Sequence, residues 1–179
     1  MNTYISLLRG INVGGHSQIK MKDLTGLYES SGFKNVKTYV QSGNVVFDSS
    51  MDDGEKIVKK IEKNIKTKFG FDVKLIIRTP DELNKIIKTN PFLKRAEVDK
   101  ERLYMVFLSE KPDASLMKNL DIKKAPEEEF QIINKEIYLY LPKGFGTAKL
   151  QVGVFEKKLK IPATARNWKT VNALAEMVK

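Results

Sequence analysis

Hydrophobic and polar positions alternate from Thr3 to Arg9, with Ile5 and Leu7 on one face and Tyr4, Ser6 and Leu8 on the other, which predicts a strand. A glycine-rich segment follows. From Met21 to Ser30 the spacing turns helical, with Met21, Leu24, Leu27 and Tyr28 on one side and Gly32 as a stop. Val36 to Gln41 and Val45 to Phe47 are β-rich runs around Ser42-Gly43-Asn44, the pattern of a hairpin. Asp52 to Phe69 carries the clearest helical repeat, Ile57, Ile61, Ile65 and Phe69, with lysines on the remaining faces. Asp52 and Asp53 suit its N-terminal dipole and Gly70 its end. Val73 to Ile77 reads as a fourth strand. The order over residues 3–79 is therefore β-α-β-β-α-β, the ferredoxin-like split arrangement of an α+β fold.

Thr79-Pro80-Asp81-Glu82 opens a short helix that must end near Asn90-Pro91, and Lys94 to Arg102 is densely charged with mixed signs. This suggests a first domain over 1–79, a helical and charged linker over 80–102, and a second half over 103–179. Leu103 to Leu108 is apolar on both faces, as a central strand would be. A short helix over Pro112 to Leu120 and a hairpin of Phe130 to Ile133 with Ile137 to Leu141 around Asn134-Lys135 come next. A helix within 147–158 and a last one from about Arg166 to Val178 complete the chain. The second half thus reads β-α-β-β-α, a partial repeat with no evident closing strand and no sequence identity to the first.

Composition narrows the possible chemistry. Of 179 residues, 41% are hydrophobic and 30% charged, as in soluble globular proteins. There is no cysteine, which excludes disulfides, thiol catalysis and cysteine-ligated metal. No apolar run reaches the roughly 18 residues of a membrane span. Met1-Asn2-Thr3-Tyr4 has no signal-peptide character, so a cytoplasmic protein is expected. The net charge of +10 is uneven. Lys143 to Lys179 holds basic residues at 143, 149, 157, 158, 160, 166, 169 and 179 against only Glu156 and Glu176. Such a surplus concentrates anions, although a solvated lysine surface has the same composition.

The candidate chemistry lies in loops. In a split β-α-β-β-α-β unit the first two strands run parallel with the third between them, so the loop after Arg9 and the Gln41-Ser42-Gly43-Asn44 turn share one sheet edge. Arg9 has the parity of Ile5 and Leu7, which places it at the end of an apolar face, half-buried and in need of an acceptor. Gly10, Asn12, Gly14 and Gly15 follow, and glycines let backbone N–H groups approach an anion. The spacing is neither a Walker loop nor a GxGxxG fingerprint. A tight structural turn with Arg9 satisfied internally explains the same residues. His16, the single histidine, has no companions for metal binding and reads as a polar residue at the start of the helix; no metal is expected. A second glycine loop, Pro142 to Lys149, offers Lys143 and Lys149 to an anion. Thr164 suits the N-cap of the last helix, with Arg166, Asn167 and Trp168 in its first turn and Trp168, Val171, Leu174 and Ala175 on its core face. Tyr4, Lys37, Tyr39, Lys74 and Arg78 would share a sheet face of mixed aromatic and basic character. The RNA-recognition octapeptide is missing from Asn44 to Asp48, and burial of that face against the second half is the stronger expectation.

Leu7-Leu8-Arg9-Gly10-Ile11-Asn12-Val13-Gly14-Gly15, Gln41-Ser42-Gly43-Asn44-Val45-Val46-Phe47, Asn90-Pro91-Phe92 and Ala163-Thr164-Ala165-Arg166-Asn167-Trp168 with Thr170 together resemble a bacterial family of domains of unknown function, number 1697. The resemblance spans nearly the whole chain. It implies an α+β fold of ferredoxin-like character and brings no activity, cofactor or catalytic residue with it. The residues themselves point first to a small anionic ligand, phosphate or carboxylate, bound by Arg9, Gly10, Asn12, Gly14, Gly15, Ser42, Asn44, Arg166 and Asn167. A nucleic-acid-binding module using the basic C-terminal third is the alternative. An enzyme ranks third, because Ser42 and Thr164 have no identifiable base beside them. Cofactor and oligomeric state are left open by the sequence.

Overall fold

The computed structural model describes residues 1–179. It divides into two units, one of Met1–Asn84 with Ala173–Lys179, the other of Lys85–Asn172. The first contains β1 (Asn2–Leu8), α1 (Met21–Ser30), β2 (Lys34–Tyr39), β3 (Asn44–Ser49), α2 (Gly54–Phe69) and β4 (Leu75–Arg78). Its antiparallel sheet has the order β2-β3-β1-β4, as the β-α-β-β-α-β reading requires. Tyr4, Leu8, Val45 and Phe47 form one core with Leu24, Leu27 and Tyr28 of α1 and Ile57, Ile61 and Ile65 of α2. Ser6 lies on the same face, its hydroxyl 2.8 Å from that of Tyr28. Burying each of the three isoleucines stabilises by about 1.5–3 kcal/mol, while exposed ion pairs such as Lys59–Glu55 contribute about 0.3–0.5 kcal/mol. The apolar stripe, not the lysines, fixes α2.

The register corrects one expectation. Ile5 pairs with Arg78 and Val46, Val46 with Lys37, and Leu7 with Ile76 and Asn44. Lys37, Tyr39 and Arg78 therefore share the Ile5 and Leu7 face, Tyr4 and Leu8 belong to the helix-packed one, and Lys74 lies before β4 with its ammonium on Glu62 of α2 at 3.1 Å. Nor is the Ile5 face an open platform, since Ile5 and Leu7 are fully buried and Arg78 is 2% exposed.

The second half carries a complete copy of the same order. After α3 (Pro80–Lys88) and two short 3-10 turns, the chain forms β5 (Leu103–Leu108), α4 (Ala114–Lys118), β6 (Glu129–Ile133), β7 (Glu136–Tyr140), α5 (Val152–Leu159), β8 (Ala163–Asn167) and α6 (Trp168–Met177). The sheet order is β6-β7-β5-β8, and Val106, Leu108, Ile137, Leu139, Phe155 and Leu159 build its core. The closing strand that the sequence lacked is β8. Ala-Thr-Ala-Arg-Asn has little intrinsic β preference and becomes a strand by pairing with β5. Thr164 is consequently a strand residue rather than a cap. Asn167 takes the capping place, its Oδ1 accepting from the Thr170 N–H at 2.8 Å.

The two halves agree in detail. Leu8 N–H donates to Gly43 O at 2.8 Å and Arg9 N–H to Lys74 O at 2.8 Å; Leu108 donates to Lys135 O at 2.9 Å and Ser109 to Pro162 O at 3.0 Å. Glu62 of α2 accepts from the first amide of β4, Leu75, at 3.2 Å, and Glu156 of α5 from that of β8, Ala163, at 2.9 Å. Arg78 ends β4 opposite Ile5, and Arg166 lies near the end of β8 opposite Met105. Each arginine is buried, and each donates from Nη1 to the preceding carbonyl, at 2.8 Å to Ile77 and 2.7 Å to Ala165.

Candidate functional site

The loop between β1 and α1 leaves the sheet with its first residues pinned on both sides by the Leu8–Gly43 and Arg9–Lys74 bonds. β1 stops at Leu8, and Arg9 is exposed, not half-buried as strand parity suggested. Asn12 then organises the loop. Its backbone sits at φ +56, a region that asparagine tolerates better than most residues. Its side chain uses both kinds of polar atom internally. Oδ1 accepts from Ile19 N–H at 2.8 Å, and Nδ2 donates to Ile19 O at 2.9 Å and to Gln41 O at 2.7 Å. One amide thus closes the loop on itself and ties it to the β2–β3 turn.

Beyond Asn12 the chain makes a small antiparallel bridge, Val13 to His16, closed by His16 N–H to Val13 O at 3.1 Å. Gly14 and Gly15 form its tip at φ +60 and +79, the positive pair that a type I′ turn demands. Val13, Gly14, Gly15 and His16 are all exposed. In the facing turn Gly43 is required by space as well as by φ. A Cβ there would lie 2.7 Å from both Ile11 Cδ1 and Leu8 Cβ. Asn44 is fully buried and donates to Tyr39 O and Ser42 Oγ, each at 2.9 Å. Val40, a β-branched residue, holds φ +49 while 51% exposed, a strained conformation costing about 1–3 kcal/mol.

The two loops that the sequence brought to one edge therefore do converge, through Asn12–Gln41 and Leu8–Gly43. Neither segment, 9–20 or 39–45, contains an acidic residue, while Arg9, His16 and Lys20 are exposed on the longer one. Val13 and Val40 add two strongly exposed apolar side chains. The rim is cationic, with glycine amides and small apolar contacts.

Several sequence-selected residues of the second unit have partners within it. Arg166 is 7% exposed, and its Nη1 donates to Thr164 Oγ1 at 2.8 Å as well as to Ala165 O. Burial pulls its guanidinium down to about 10, so the group is still a cation at neutral pH. Trp168 is 6% exposed and begins α6. In the Pro142–Lys149 loop the anion is the protein's own. Glu127 pairs with Lys143 at 2.6 Å, holding the Lys143 ammonium above its usual range and the Glu127 carboxyl below its own. Buried Glu128 accepts from the N–H groups of Lys149 at 2.8 Å and Leu150 at 3.2 Å. Arg166, Lys143 and Lys179, the last paired with Glu176, are thus buried or neutralised among the C-terminal basic residues. Ser42 Oγ accepts from Asn44 Nδ2 and Thr164 Oγ1 from Arg166 Nη1.

Sequence reasoning named Arg78 but set it on the Tyr4 face, and it missed the carboxylate clamp of Glu128 and the bidentate pair of Arg95 with Glu129 at 2.6 and 2.7 Å. A dense charge run and an isolated arginine in an apolar strand were the available signals. Asn90-Pro91-Phe92 is structural: Asn90 accepts from Phe92 N–H at 3.1 Å, and Phe92 is 1% exposed.

No helix is long and apolar enough to cross a membrane. Among solved structures the chain is similar to "conserved bacterial protein SP0830 from Streptococcus pneumoniae", with a TM-score of 0.72 at 23% identity and 99% of each chain covered, which shows a shared fold. No curated protein matches it. Residues 1–138 match the family described as "Protein of unknown function (DUF1697)", and the chain belongs to that family.

Proposed function

We propose that the protein binds a small anionic ligand, a phosphate or carboxylate, at the rim formed by the Arg9–Lys20 loop and the Val40–Gly43 turn. The observation that carries this reading is a difference between the two halves at this one sheet edge. Strand order, edge hydrogen bonds and closing arginines repeat, yet the first β–α connection runs over residues 9–20 and its counterpart only over 109–113. The first hairpin turn covers residues 40–43, its counterpart 134–135. The fold closes with 109–113 and 134–135 at this edge of the second half, so the longer pair exceeds what closure requires there. The extensions are where a ligand site is added to a fold.

Arg9 supplies the charge, and the N–H groups of Gly10, Gly14 and Gly15 the close backbone approach. Asn12, Ser42 and Asn44 hold the loops in place through bonds already made. Arg166 and Asn167, bonded to Thr164, Ala165 and Thr170, serve the scaffold. The test is thermal stability against a panel of inorganic phosphate, nucleotides and dicarboxylates. A ligand at about 100 times its Kd adds about 2.7 kcal/mol, a rise of roughly 5–10 °C for a chain this size. Arg9→Ala removes the rise, whereas Lys22→Ala on α1 keeps it. A panel that shifts nothing refutes the proposal.

A further inference from the structure

The two sheets end in different kinds of edge. β2 is guarded: its register breaks in a bulge between Lys34 and Lys37, both exposed, with Asn35 at φ +50 and its amide held by Asp48 at 2.7 Å. β6, the corresponding edge of the second sheet, has no such device. Glu129 to Ile133 pair with Tyr140 to Glu136 in unbroken register, and the strand contains no lysine, proline or bulge. The short turn makes Ile133–Glu136 a hydrogen-bonded pair, so by alternation Gln131 and Glu129 also bond to β7. The backbone N–H and C=O of Phe130 and Ile132 then point away from the sheet. Phe130 packs edge-on against Phe155 at 5.5 Å, and Gln131 is exposed. Natural sheets avoid a bare, regular edge of this kind unless something pairs with it.

We propose that β6 pairs antiparallel with β6 of a second copy of this chain, about a two-fold axis at Gln131. With that centre, Phe130 faces Ile132 of the second copy and the reverse, so every outward N–H and C=O of the strand is used. A centre at Phe130 sets Ile132 against Glu128, whose N–H is already given to Ala125 O at 3.1 Å. The Gln131 centre brings Lys135 of each copy beside the Glu127 end of the other strand, where Glu127 also holds Lys143 and Glu129 holds Arg95.

The absence of cysteine makes the test direct. Gln131→Cys places its thiol against its own copy across the axis, at a Cβ separation of about 4.5–5.5 Å, close to disulfide range. Mild oxidation is expected to convert this variant to a covalent dimer much faster than Lys22→Cys, an exposed control on α1. In parallel, sedimentation of the unmodified chain is expected to give a dimer at tens of micromolar that Gln131→Lys returns to monomer, because it sets like charges opposite each other, while the variant keeps a single cooperative melting transition. A chain monomeric throughout, a dimer indifferent to Gln131→Lys, or cross-linking no faster than the control overturns the proposal.

Discussion

The side-chain amide of Asn12 donates to the carbonyl of Gln41 at 2.7 Å, joining a loop and a turn that lie a helix and a strand apart in sequence. The same side chain also bonds the backbone N–H and C=O of Ile19, so it ties the proposed site together at three points. Asn12→Ala removes all three bonds and leaves alanine at φ +56. The expected loss is about 1–3 kcal/mol of unfolding free energy by denaturant titration, with ligand stabilisation lost together with loop order. Asn12→Asp keeps the acceptor for Ile19 N–H but sets a carboxylate oxygen against two carbonyls, and is expected to do no better.

Gly43 and Gly10 separate space from backbone conformation. Both hold positive φ, +73 and +67, but only at Gly43 does an added Cβ meet atoms at 2.7 Å. Gly43→Ala is expected to cost about 2–3 kcal/mol, and Gly10→Ala about 1 kcal/mol. Equal losses in thermal unfolding would remove the close approach of Leu8 and Ile11 as the reason for Gly43.

Asn167 caps α6 through Thr170 N–H. Asn167→Ala is expected to lower stability by about 1 kcal/mol, and Asn167→Asp or Asn167→Ser to retain most of it. A ligand shift preserved in Asn167→Asp supports a structural rather than a ligand-contacting role for this residue.

Arg95 contributes to the acid response of the second unit. Its two hydrogen bonds hold the Glu129 carboxyl below the usual 4.5. The folded value is the lower one, so the pair's contribution is present above the unfolded value and is lost as pH falls from about 4.5 through the folded value. Both side chains are substantially exposed, which keeps the effect small. Arg95→Met is expected to lower stability slightly at neutral pH and to flatten the stability-against-pH curve in that acid window, meeting the parent curve below the folded value, as followed by urea titration at stepped pH.

The N-terminal loop was legible because its signals are local. Ile57, Ile61 and Ile65 declare a helix by spacing, Ser42-Gly43-Asn44 a turn, and a β-α-β-β-α-β order then fixes which loops share an edge. Arg9 was misjudged because parity holds only while a strand continues, and β1 ends one residue earlier. Parity likewise named two faces without saying which one the helices cover. The answer, Tyr4 and Leu8, depends on where α1 and α2 pack.

By itself the sequence determined the helices, the hairpins, the missing cysteine chemistry and the convergence of the Arg9 loop with the Gln41–Asn44 turn. All of these follow from periodicity, turn residues and chain order. Tertiary structure alone decided that Ala163–Asn167 is a strand, that Arg78 and Arg166 are buried equivalents, and that Asn12 is a knot rather than a free amide. Each depends on a partner distant along the chain, Met105 for Arg166, Ile5 for Arg78 and Gln41 for Asn12, and local pattern contains no information about such pairings.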